Sequence, residues 1–101
     1  MDPQLAEIVK KITAYINPVK IFLFGSRARG DARLDSDYDL AIIYDGDKSK
    51  GDVELDIYRL FMSSMLSLDV FILTSEELER FKPIATTLAR EITENGVVVF
   101  G

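Results

Sequence analysis

A short apolar run, Val19 to Phe24, stops at Gly25, and the next apolar run does not begin until Tyr38. Both runs are rich in strand formers, and the residues between them are mostly glycine, serine, arginine and aspartate, so the pattern reads strand, loop, strand. Asp45 to Gly51 is rich in turn residues and ends the second strand. Two short strands cannot bury their faces alone, so the flanking segments must supply the cover.

Those segments carry helical spacing. Asp2 and Pro3 read as the cap and first residue of a helix whose apolar face is Leu5, Ile8, Val9, Ile12 and Ile16, ended by Asn17-Pro18. Val53, Ile57, Leu60, Phe61 and Met65 mark a second amphipathic helix, with Met62 and Met65 as core or partner-facing residues. Leu68 to Leu73 is a third strand. Thr74 and Glu77 form a capping box for a further helix that Pro83 kinks or splits. Ile84, Leu88 and Ile92 recur every four residues up to Asn95-Gly96, and Val97 to Phe100 adds an edge strand. The order predicts a single α/β (α+β) domain over residues 1–101, a small mixed β-sheet with flanking helices.

Composition narrows the chemistry. Apolar residues make up 48% of the 101 and charged residues 29%, a globular balance. No apolar run approaches the length of a membrane span, and the charged start does not read as a signal peptide, so the expected compartment is the cytoplasm. The chain contains neither cysteine nor histidine, which removes thiolate and imidazole chemistry and leaves carboxylates, hydroxyls, amines and backbone groups. A formal charge of −5 disfavours direct binding to a long nucleic acid. The charge is uneven: nine of the 17 acids fall between Asp31 and Asp56, and Arg27, Arg29 and Arg33 crowd together just before the densest of them. A basic cluster beside an acidic one suits a metal–phosphate ligand.

The segment from Gly25 to Leu40 concentrates that chemistry. Gly25 and Gly30 have the spacing of a P-loop, but Asp31-Ala32 stand where lysine and a hydroxyl residue belong, and Arg27 occupies the second glycine of a dinucleotide fingerprint. What remains is a strand-to-turn junction whose backbone N–H groups and Ser26 hydroxyl can hold phosphate oxygens, with Gly25 allowing close approach. Asp37 and Asp39 lie two apart at a strand entry and so share a face. Two adjacent carboxylates repel unless a cation lies between them, and magnesium or manganese prefers such oxygen ligands.

If this is a site, the topology follows. The end of the first strand meets the start of the second only if the two run antiparallel. Asp69, near the start of the third strand, joins them if that strand pairs in parallel with the second, across a right-handed helical crossover.

Gly25-Ser26, ten residues, then Asp37-Tyr38-Asp39, with Asp69 on the following strand, resembles the nucleotidyltransferase superfamily that includes DNA polymerase β, especially its minimal nucleotidyltransferase branch. Element order agrees over nearly the whole chain. The resemblance implies a nucleotidyltransferase fold, two Mg²⁺ ions (or Mn²⁺), ATP as substrate, and transfer to an acceptor hydroxyl with release of pyrophosphate. It implies that Asp37 and Asp39 bridge the metals, that Asp69 completes the acceptor-side metal site and takes the acceptor proton, and that Gly25 and Ser26 hold the outer phosphates. Arg29 or Arg27 adds positive charge, although the ordinary reading of Arg29 is pairing with Asp31, Asp35 or solvent.

Minimal nucleotidyltransferases resemble the antitoxin half of two-component modules whose partner is a small helical HEPN-type ribonuclease toxin. With no acceptor domain of its own, the chain is expected to form a hetero-oligomer with such a partner and to move AMP onto a tyrosine hydroxyl of it. Two other readings stay open: a binding module that blocks the partner sterically, and transfer to a small-molecule acceptor. Tyr15, Tyr38, Tyr44 and Tyr58 of the chain itself read as packing residues.

Overall fold

The computed structural model describes residues 1–30 and 37–101. Among them the elements run α1 (Pro3–Tyr15), β1 (Lys20–Phe24), α2 (Ser26–Arg29), β2 (Tyr38–Ile43), α3 (Lys50–Leu60), β3 (Leu68–Leu73), α4 (Ser75–Phe81), α5 (Leu88–Asn95) and β4 (Val97–Phe100). The sheet order is β3-β2-β1-β4. β1 pairs antiparallel with β2 and β4, and β2 pairs in parallel with β3. This is the mixed sheet expected from the sequence, with α3 as the crossover that a parallel pair requires.

Capping chemistry sets the helix starts. The Asp2 carboxylate accepts the Leu5 N–H at 2.7 Å, with Pro3 in the first turn of α1. The Thr74 hydroxyl accepts the Glu77 N–H at 3.0 Å, and the Glu77 carboxylate accepts the Thr74 N–H at 2.8 Å, closing the capping box of α4.

The sheet is covered on both faces. On one, α1 and α3 bury Leu5, Ile8, Ile12, Val53 and Ile57 against Ile21, Leu40, Ile42, Val70 and Ile72. On the other, Ile92 of α5 packs against Phe22, Ala41 and Ile43, with Leu78 and Leu88 at the margin. Each fully buried isoleucine is worth roughly 1.5–3 kcal/mol. Central β2 is apolar on both faces from Leu40 to Ile43, whereas β3 alternates, burying Leu68, Val70 and Ile72 and exposing Asp69 and Phe71.

Three local expectations are corrected. Ser26–Arg29, read as a turn, forms the short helix α2. α3 ends at Leu60, so Met62 and Met65 lie beyond it and are exposed, which corrects their reading as core residues but not as partner-facing ones. The Phe61 carbonyl accepts both the Ser64 N–H and its hydroxyl, which turns the chain away from the helix. Ile84 lies in the bend between α4 and α5, not on a helix face, and is exposed. α5 stops at Asn95-Gly96 as expected, and Gly96, extended at φ −78° and ψ 160°, is crowded: a Cβ would sit 2.5 Å from the Ile92 carbonyl oxygen. Among the described residues no helix is long and apolar enough to cross a membrane.

Candidate active site

β1 carries Phe24 to the sheet edge, where Gly25 turns the chain into α2. Gly25 has φ +75° and ψ −156°, a conformation open essentially to glycine. Its carbonyl accepts the Ala28 N–H at 3.1 Å and the Arg29 N–H at 3.2 Å, which starts α2. A second left-handed glycine, Gly30, ends it, donating its N–H to the Ser26 carbonyl. Ser26 is therefore the first helical residue, and it is half-buried. Gly25 also abuts the acids: a Cβ there would overlap Asp39 Oδ2 and lie 3.1 Å from Asp39 Cγ.

Strand register gathers the acids. Phe24 faces Asp39 across the antiparallel pair, and Asp39 faces Asp69 across the parallel one. The row Phe24–Asp39–Asp69 thus crosses one end of the sheet on a single face. Asp39 is half-buried, while Asp37 and Asp69 are exposed. Partial burial pushes the Asp39 carboxyl above its ordinary range; the charges of Asp69 and Asp37 and a hydrogen bond with the Asp69 side chain push the same way, and Arg29 pulls it back.

Two carboxylates forced together, with a third charge bearing on one of them, form an oxygen-only donor set that fits a hard divalent cation. Among the described residues no three acidic side chains are drawn into one closed cage. The close pair is Asp39–Asp69, and Asp37 acts on Asp39 through its charge.

The residue between the two aspartates points the other way. Tyr38 is buried, and its hydroxyl meets Gln4 Oε1 at 2.8 Å and Asp2 Oδ1 at 3.3 Å, tying the start of β2 to the start of α1. Burial raises the Tyr38 pKa above its usual value, partly offset by Arg27 and reinforced by Asp2. The Arg27 guanidinium lies 3.9 Å from the Tyr38 ring centroid, a close cation–π contact. Of the two α2 arginines, Arg27 thus stacks on Tyr38, while the charge of Arg29 bears on Asp39. The expected pairing of Arg29 with Asp31 or Asp35 falls outside the described residues.

Sequence reasoning did not single out Tyr38 as the pin of the site, although the Asp37-Tyr38-Asp39 alternation carries the signal: if the aspartates face one way, the tyrosine faces the core. Nor did it single out Phe71, which shares the face of Asp69 and stays 42% exposed.

No curated protein sequence matches the chain. Among solved structures it is similar to a toxin–antitoxin crystallised with AMP-PNP, at 19% identity and TM-score 0.64, covering 94% of this chain and 72% of the other. A mutant of the toxin–antitoxin MntA-HpeT matches at 15% identity and TM-score 0.62, covering 97% and 71%. A candidate nucleotidyltransferase from Sulfolobus solfataricus matches at 23% identity and TM-score 0.55, covering 94% and 76%. At these identities the likeness establishes the fold. The sequence model described as polymerase beta, nucleotidyltransferase, matches residues 6–101. The chain therefore belongs to the polymerase beta nucleotidyltransferase family.

Proposed function

We propose that this chain is a metal-dependent nucleotidyltransferase antitoxin that transfers AMP from ATP to a tyrosine hydroxyl of a HEPN-type ribonuclease toxin and thereby neutralises it. Family membership supports nucleotidyl transfer, and the two toxin–antitoxin relatives, one of them with AMP-PNP, support the partner class. The observation that carries the chemistry is the in-register pair Asp39–Asp69 beside Gly25.

In this reading Gly25 and Ser26 hold the outer phosphates, and Arg29 adds positive charge near Asp39. Asp37, Asp39 and Asp69 hold Mg²⁺ or Mn²⁺, which when bound offsets the triphosphate charge and activates the acceptor oxygen. The acceptor oxygen attacks the α-phosphorus of ATP, the bond from that phosphorus to the bridging oxygen of pyrophosphate breaks, and pyrophosphate leaves. Asp69 takes the acceptor proton. Phosphoryl chemistry of this kind needs positioning and charge neutralisation more than a protein nucleophile, so a chain without histidine or cysteine is adequate. An AMP group on the toxin adds bulk and negative charge that oppose RNA binding.

The test is co-expression with the partner toxin, followed by its intact mass with wild-type chain and with Asp37→Ala/Asp39→Ala. AMP-sized increments on a tyrosine, lost with the double variant, are the expected result. An unmodified but still neutralised toxin overturns it in favour of steric blocking.

A further inference from the structure

A cavity of about 460 Å³ opens beside the carboxylate pair, on the side away from Gly25 and Ser26. It is lined by Asp69 and Phe71 of β3, Glu54 and Tyr58 of α3, and Leu88 at the start of α5. β3 is an edge strand, so nothing in the sheet lies beyond it. The phosphate-holding bend ends β1, two strands away across β2. A ligand that reaches Asp69 through this cavity therefore comes from the side opposite to the triphosphate.

The Phe71 ring that lines the cavity is braced from behind by Phe24. Phe24 and Phe71 approach across β2, ring centroids 5.7 Å apart and tilted by 58°. They meet because β2 carries the small residue Ala41 at the intervening position, directly opposite Phe22 and Phe71. Phe71 lies two residues from Asp69 on the same face of β3 and keeps 42% of its surface exposed. Beside it the Tyr58 hydroxyl accepts the Val70 N–H at 2.9 Å, which closes that part of the strand edge to a pairing strand. What remains open is a recess that brings the Phe71 ring and Leu88 together with the Asp69 carboxylate, with Lys50 and Glu54 on its α3 wall, and it has room for one large side chain.

We infer that this recess is the acceptor subsite, and that Phe71 is a specificity-determining residue that selects an acceptor hydroxyl carried on an aromatic ring. The inference rests on the nucleotidyl-transfer reading above. The acceptor ring lies against Phe71 with Leu88 opposite, gaining contact area and edge-to-face attraction, and its hydroxyl projects toward Asp69. An aliphatic hydroxyl on serine or threonine is too short to gain the same contact.

The experiment compares the wild-type chain with Phe71→Ala and Phe71→Leu in steady-state AMP transfer to the purified toxin, alongside AMP-PNP binding by calorimetry. Leucine keeps an apolar side chain on the strand and so guards against a folding artefact, and thermal melts of both variants accompany the kinetics. The expected result is a KM for the toxin raised about tenfold or more in both variants, with kcat within a few-fold and AMP-PNP affinity unchanged. Unchanged acceptor KM in a folded Phe71→Leu variant overturns the inference, as does a loss confined to AMP-PNP affinity, which would assign the ring to the nucleobase. Absence of transfer by the wild-type chain defeats instead the function on which the inference rests.

Discussion

The Gly25 α-carbon lies so close to the Asp39 carboxylate that no side chain fits between them. Two separate demands meet at this glycine, a backbone conformation with φ +75° and the proximity of Asp39. Gly25→Ala must relieve both at once. It is expected to destabilise the fold by roughly 1–3 kcal/mol and to abolish AMP transfer, as read by urea denaturation and by the mass of the partner. A variant of ordinary stability and activity would show that the bend relaxes freely.

The acid pair is costly to the metal-free fold. The folded pKa of Asp39 is raised, so in the window between its unfolded and folded values the native state binds more protons and stability falls as pH rises. Asp39→Asn removes that penalty. Without divalent ions at neutral pH, the variant is expected to melt at or above the wild-type temperature. Adding Mg²⁺ raises the wild-type melting temperature but not that of the variant, and EDTA reverses the shift. Differential scanning fluorimetry with and without metal measures both.

Tyr38 separates packing from anchoring. Tyr38→Phe keeps the ring for Arg27 and the core, and removes only the hydroxyl contacts with Gln4 and Asp2. The expected cost is about 1 kcal/mol. Asp2 still caps α1, so helix content by circular dichroism stays constant while the midpoint of chemical denaturation falls.

The start of α4 responds to acid in a defined direction. Glu77 has a lowered pKa because Lys50 and the Thr74 N–H bond its carboxylate. The resulting stability is present above the unfolded glutamate value and is lost as pH falls through the lower folded value. Thr74→Ala, which removes the other half of the capping box, costs about 1 kcal/mol. Glu77→Gln flattens the acid limb of a stability–pH curve measured by urea denaturation; an unchanged limb would assign it to other carboxylates.

The strands and their pairing were legible because the apolar runs are bounded by strong punctuation, and because a site at one sheet edge admits few topologies. The meeting of Gly25 with Asp39, and of Asp39 with Asp69, follows from that register. α2 was not legible: four residues span barely one helical turn, too few for a period to appear, and its start depends on a glycine conformation that sequence does not display. The premature end of α3 had a weaker signal in Ser63-Ser64, overruled by the apolar Met65 at helical spacing. The split of roles between Arg27 and Arg29 depends on the direction in which α2 leaves the sheet, which only the fold supplies.

The parallel pairing of β2 with β3 has a consequence for how the protein comes to exist. Asp39 and Asp69 become neighbours only after the chain has crossed over through α3 and docked its third strand, so no piece of the polypeptide that stops short of β3 can possess the carboxylate pair. The carboxylate pair is thus a report on the docking of β3. A nascent chain still emerging from the ribosome lacks the pair until β3 has been released, and in denaturant the pair is lost in the same step as the sheet.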